Sequence, residues 1–209
     1  GPTMIGDDVD RMEEERLSLI KKTLPRPRDV AFPVGLFKRA HPDLPRVFHR
    51  RIEKPWGRFD IVAVYNFGVD LMREDVAMAD LGLDPRTGFH AFEFWNCEYL
   101  GRFTGTLPAV VPPHSVRVYR LTPDTGMPTV MGTDMHLLMG EVELLECAWE
   151  PASMTLSGRA IRPAGETGSV CIAGRGMVPV QAEIEGRPAP LRTGANGALI
   201  LPVIMTAPT

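Results

Sequence analysis

At 209 residues, 44% of them apolar and 23% charged, the chain has an ordinary globular composition and enough length for one generous all-β domain, or for a domain with an appendage. A net charge of −3 with scattered basic residues argues against a general binder of nucleic acid or of anionic membranes, since both need a basic face. No apolar run approaches the ~20 residues that span a bilayer, and no membrane partner is expected. Cys97, Cys147 and Cys171 are odd in number and form no CxxC pair. They therefore read as small buried hydrophobes rather than a disulfide framework or a zinc site. No cofactor is expected. The N-terminus carries Asp7, Asp8 and Asp10 where a signal peptide would have basic residues, which together with the cysteine count leans toward a cytoplasmic setting.

The first predicted element is a helix over about residues 10 to 24. Asp10 followed by Glu13 has the spacing of a capping box, Leu17, Ile20 and Leu24 make one apolar stripe, and Lys21-Lys22 suit the C-terminal dipole. Pro25 and Pro27 stop it. Residues 25–46 then form a proline-punctuated connector whose Val34, Leu36 and Phe37 are apolar enough to dock on a neighbouring surface.

From Val47 onward the period changes to that of strands. Arg58 to Phe67 is the clearest, with Phe59, Ile61, Ala63, Tyr65 and Phe67 on one face and Val62 and Val64 on the other, the signature of a central strand. Further strands are predicted over His90–Cys97, Ser115–Leu121, Glu141–Ala148, Met154–Ile161 and Ser169–Ala173. The alternation of Val180, Ala182 and Ile184 with polar neighbours predicts a half-exposed strand, and Leu199–Met205 closes the domain. Glycine- and proline-bearing turns separate these runs. The fold class is mainly β: an antiparallel β-sandwich of about eight or nine strands over 47–209, preceded by one α-helix and a Pro-rich strap.

Residue chemistry offers few sites. Asp134 and His136 would share a strand face, with His114 approaching from the preceding strand, but hydrogen bonding across a turn accounts for them better than a metal does. Glu141, Glu143 and Glu146 read as solvated strand-face charges. Met127, Met131, Met135 and Met139 fall four apart, yet Pro128 and Gly132 argue against a helix, so they read as core filling. Trp56, in a Lys-Pro-Trp-Gly turn, is the best candidate for an exposed face that stacks on a sugar ring; Trp95, among phenylalanines, reads as core.

Several blocks, in order, resemble a known family. Ile5-Gly6-Asp7-Asp8, then Met12 to Arg16 and a helix ending at Leu24-Pro25, resemble the last strand–helix unit of a melibiase-type barrel. Val62 to Phe67, Glu93-Phe94-Trp95, Tyr99-Leu100-Gly101, Pro113-His114-Ser115, Val118 to Leu121, Gly132 to His136 and Gly140 to Leu144 are similar to the β-sandwich that follows that barrel. The family is that of α-galactosidase-like enzymes, glycoside hydrolase family 36 and its relatives.

The resemblance implies that residues 1–24 are a barrel remnant, 25–46 the connector and 47–209 the C-terminal sandwich. It also implies a parent that hydrolyses α-linked galactosides with retention, using two carboxyl groups roughly 5–5.5 Å apart. The family's nucleophile lies in a Lys-x-Asp motif. Lys21, Lys22, Lys38 and Lys54 are the lysines of this chain, and none has Asp two positions on. No catalytic residue carries over, and the chain is expected to be inactive alone. If Ile5 ends a barrel strand, Asp7 or Asp8 would lie at the mouth of the parent's substrate pocket; otherwise either caps the following helix. The expected role is a non-catalytic sandwich supporting a catalytic barrel. The alternatives are a carbohydrate-binding module for an α-galactoside, or a subunit that complements a separate barrel chain.

Overall fold

The computed structural model describes residues 8–27, 29–36, 44–174 and 176–206. The chain opens with a 3-10 turn, Val9–Arg11, and a helix, α1, Glu14–Lys21. This helix is shorter than predicted. Asp10 sits inside the preceding turn and Met12 is extended, so Glu13 becomes the N-cap and makes no side-chain cap bond. No residue of α1 is buried.

Strands then follow in antiparallel arrangement, starting with β1 (Phe32–Pro33), β2 (Val47–Lys54), β3 (Gly57–Asn66) and β4 (Met72–Ala77). Next come β5 (Gly88–Glu93), β6 (Glu98–Thr104), β7 (Thr106–Val111), β8 (Ser115–Pro123) and β9 (Thr129–Thr133). The remainder are β10 (Leu144–Glu150), β11 (Thr155–Ala160), β12 (Thr167–Ala173), β13 (Glu183–Ile184), β14 (Arg187–Pro188), β15 (Arg192–Thr193) and β16 (Leu199–Ile204).

The architecture is an antiparallel β-sandwich. Its main sheet has the order β1-β2-β3-β8-β5-β6 and the facing sheet β15-β16-β12-β9. β3 is central and apolar on both faces, as its sequence requires. Val62 and Val64 look toward the β4–β7 pair, where Val76, Leu107, Ala109 and Val111 meet them. Phe59 and Ile61 look toward the facing sheet and pack with Phe92, Met131, Met139 and Cys171. A third cluster lies on the outer face of that second sheet, where Val130, Leu144 and Val170 are partly covered by the β10–β11 hairpin. The two central sheets are thus each sheathed on the outside by a two-stranded piece.

Close packing shows at Gly132, where an added Cβ would stand 2.5 Å from the Phe92 ring. A charge is also sealed in this core. Arg120, 1% exposed, lies over the Phe59 ring at 3.8 Å. Its guanidinium donates to the carbonyls of Met139 and Val130 and to Thr122 Oγ1. It is satisfied by backbone acceptors, which lets a cation persist where desolvation is severe.

Three expectations differ in detail. Glu143 is fully buried and bonded to Thr133 rather than solvated, because β10 begins only at Leu144 and residues 134–143 turn back into the core. Glu141 is half-buried and pairs with Arg50, whereas Glu146 is exposed as expected and pairs with Arg159 at 2.9 Å. The strand expected around Val180 is reduced to Glu183–Ile184, and Val180 itself is 99% exposed.

Candidate functional site

One end of the main sheet gathers the helix, the strap and several turns. Tyr65 is paired with Val116, the Tyr65 amide donates to the Arg46 carbonyl, and the Phe94 amide donates to Val118. The end of β3, the starts of β2 and β8 and the turn after β5 therefore share one edge of the molecule. Lys22 at the end of α1 lies over the Phe94 ring at 5.5 Å, which places the helix terminus at the same edge.

Polar contacts at its C-terminus anchor the helix there. Arg162 donates to the carbonyls of Leu24 at 2.8 Å and Lys21 at 3.2 Å while its Nε pairs with Glu166 at 3.0 Å. The Leu137 amide donates to the Lys22 carbonyl at 2.8 Å. His136 Nε2 lies 3.2 Å from the Pro25 carbonyl, and its Nδ1 accepts from the Leu138 amide. These contacts supply donors to carbonyls at and just beyond the helix C-terminus, with a cation where the dipole favours one. They also define His136 as the neutral tautomer with its proton on Nε2. Burial pulls its pKa down to about 4, and Arg162 and Arg50 push the same way.

Two buried polar side chains shape the turns at this edge. Asn66 Nδ2 donates to the carbonyls of Asp70, Val111 and Pro112 at 2.8–3.0 Å, and its Oδ1 accepts from the Gly68 amide. That staple folds the β3–β4 turn so that Phe67 and Val69 point outward, 50% and 73% exposed. Glu93, also buried, accepts from the Trp95 and Asn96 amides at 3.2 and 2.8 Å and so presents Trp95 at the surface of the next turn. Phe67 stacks on Tyr65 at 5.7 Å, and Tyr65 meets Phe48 edge-on at 5.5 Å. The edge thus displays ordered aromatic and aliphatic side chains; Leu19, Val30, Phe32 and Leu44, on the helix and the strap, are also 46–69% exposed.

The residues singled out from sequence fall as follows. Asp7 lies outside the described residues, as does Phe37. Asp8 is exposed, accepts from the Asp10 amide at 3.3 Å and pairs with Arg11 at 3.4 Å, so it caps the short 3-10 turn. Trp56 is half-buried instead of displayed. Its ring stacks on Phe59 at 5.8 Å because the turn folds inward over Arg120, and it bridges two core clusters. Asp134, His136 and His114 are kept apart. Asp134 accepts from the Ser169 amide at 2.7 Å, His136 serves the strap, and His114 stands at positive φ in the β7–β8 turn. Among the described residues no cluster of His, Cys, Asp or Glu is arranged to hold a metal. Trp95, read as core, is 38% exposed.

A cavity of about 640 Å³ lies beside β5 and β6, between them and the segment 174–199. Its polar wall is His90, whose Nδ1 is 2.6 Å from the Tyr99 hydroxyl and whose Nε2 is 3.4 Å from Asp124, itself paired with Arg102 at 2.7 Å. Asn196 completes the wall, donating to the Tyr99 carbonyl at 2.8 Å. Among the described lining residues there is no carboxylate.

No protein-family model matches the chain, and no curated protein matches it. Partial structural likenesses do occur. The chain is similar to α-galactosidase I from Mortierella vinacea, at 18% identity over 36% of this chain and 20% of that one, TM-score 0.31. It is similar to a family GH27 β-L-arabinopyranosidase from Geobacillus stearothermophilus, at 23% identity over 39% and 18%, TM-score 0.33. It is also similar to a candidate α-N-acetylgalactosaminidase from Bacillus halodurans, at 15% identity over 56% and 26%, TM-score 0.42. The chain thus spans about a quarter or less of the length of these proteins.

Proposed function

We propose that this chain is the non-catalytic C-terminal β-sandwich of an α-galactosidase-like glycoside hydrolase, and that the helix–strap–turn edge docks the catalytic barrel. The observation that carries the reading is α1. It exposes Leu19, leaves Leu17 and Ile20 only half-buried, fully buries no residue, and is anchored through the carbonyls at its C-terminal end, beside the exposed Leu24. A helix of eight residues is marginal by itself and needs packing along an apolar face. The stapled turns that display Phe67, Val69 and Trp95 on the same edge make that missing cover extensive, and patches of this kind mark interaction sites.

The same observation favours a covering partner, in the same polypeptide or as a complementing subunit, over an autonomous carbohydrate-binding module. Trp56, the side chain expected to stack on a sugar ring, is half-buried with one ring face occupied by Phe59. The test is kinetic. The isolated chain should release no nitrophenol from nitrophenyl α-galactoside above background. Turnover at enzyme-like rates, in the absence of any second chain, would overturn the proposal.

A further inference from the structure

A cleft of about 1310 Å³ runs along the outer face of the β15-β16-β12-β9 sheet, beside the β10–β11 hairpin. One wall is the sheet itself, through Ile172, Leu199, Leu201 and Val203, all only half-buried. The opposite wall is the segment 178–184. Its sequence, Val178-Pro179-Val180-Gln181-Ala182-Glu183-Ile184, sets apolar residues at every second position, so in an extended chain they share one side. Apolar and polar positions of the segment alike border the cleft, and Val178 is 86% and Val180 99% exposed. Residues 178–182 lie outside any strand. The segment is bounded by Gly176 at φ +82° and Gly186 at φ +71°, backbone conformations that serve as pivots in glycine and strain other residues.

We propose that segment 178–184 is a lid that closes onto the outer face of this sheet, seating Val178 and Val180 against Ile172, Leu199, Leu201 and Val203. A half-covered apolar sheet face and an exposed apolar row of the same chain border one cleft, and closing removes both from water while Gln181 and Glu183 turn to solvent. The pattern is that of a half-buried strand, and the cleft supplies the burial that the open arrangement lacks. Met177, Val178 and Val180 also line the cavity at His90 and Tyr99, so closure widens the mouth of that cavity. The inference does not depend on the docking of a barrel.

Urea unfolding of Val180→Asp and Gln181→Asp tests it. In the closed arrangement Val180→Asp lowers the folding equilibrium constant at least tenfold, while Gln181→Asp stays within twofold of the wild type. If Val180→Asp also stays within twofold, the segment remains open and the proposal fails. If Val180→Asp does not fold, Val180→Thr decides: a loss of at least threefold supports closure, and no loss overturns it. A wild-type stability that rises with protein concentration would assign the cleft to the segment of a second copy and also overturn the proposal.

Discussion

His136 makes the attachment of the strap dependent on pH in a way that can be measured. Its imidazole is 1% exposed, holds the Pro25 carbonyl through Nε2 and faces Arg162 and Arg50. Its pKa falls from an ordinary 6.5 to about 4, chiefly through burial. A depressed folded-state pKa means that the neutral form is preferred in the fold. The stabilisation is therefore complete above pH 6.5 and is lost as pH drops toward 4. Integrating between those two values gives about 2 kcal/mol lost by pH 5 and about 3 kcal/mol in all. The assay is urea unfolding at pH 7.5 and pH 5, comparing the wild type with His136→Gln, whose amide can still donate to Pro25 but does not titrate. The carboxylates titrate in both proteins and cancel, so the wild type should lose about 2 kcal/mol more than the variant. Equal losses in the two proteins would refute the assignment of a buried, neutral His136 at the strap.

Other perturbations follow from the same structure. Asn66→Ala leaves the carbonyls of Asp70, Val111 and Pro112 without their donor and should cost about 3 kcal/mol in urea unfolding, with loss of the ordered Phe67 turn. Arg162→Ala should fray the end of α1 and speed proteolysis at Lys21 and Lys22 with little change in the melting of the sandwich. Gly132→Ala drives a methyl into the Phe92 ring and should lower stability by about 1–3 kcal/mol, read as a fall in Tm. Burial raises the pKa of Glu143, so its charged form is disfavoured in the fold. Stability owed to the protonated form is present at low pH and lost as pH rises, and Glu143→Gln should therefore be at least as stable as the wild type at pH 7, with an advantage that shrinks toward pH 4.

Much of the sandwich was legible because strand pattern and burial agree. β3 advertises its central place through Phe59 and Ile61 on one face and Val62 and Val64 on the other. The pairing of β4 with β7 was hidden, since Met72 to Ala77 alternates charged and apolar residues only weakly and its partner lies some thirty positions away. Glu143 is fully buried where its sequence predicts a solvated charge, since acidic residues beside a strand are by default solvated. Its burial depends on the reversal of residues 134–143, which no local propensity announces. Val180 shows the converse case: its alternation predicts a half-exposed strand, but residue 180 lies outside any strand and is 99% exposed, because the pairing and burial that such a pattern asks for are tertiary matters. The stripe Leu17, Ile20 and Leu24 expected on α1 is half-buried at its first two positions, while Leu19, outside it, is exposed; the parts played by Arg162 and Asn66 come from contacts distant in sequence.

The central claim is that this sandwich keeps its helix and strap for a catalytic barrel. It is tested most directly by determining the coding sequence immediately upstream of Gly1. A (β/α) barrel carrying a Lys-x-Asp motif in the same reading frame, or in an adjacent frame as a separate subunit, is the predicted result. An unrelated sequence with no such barrel in either position would contradict the account.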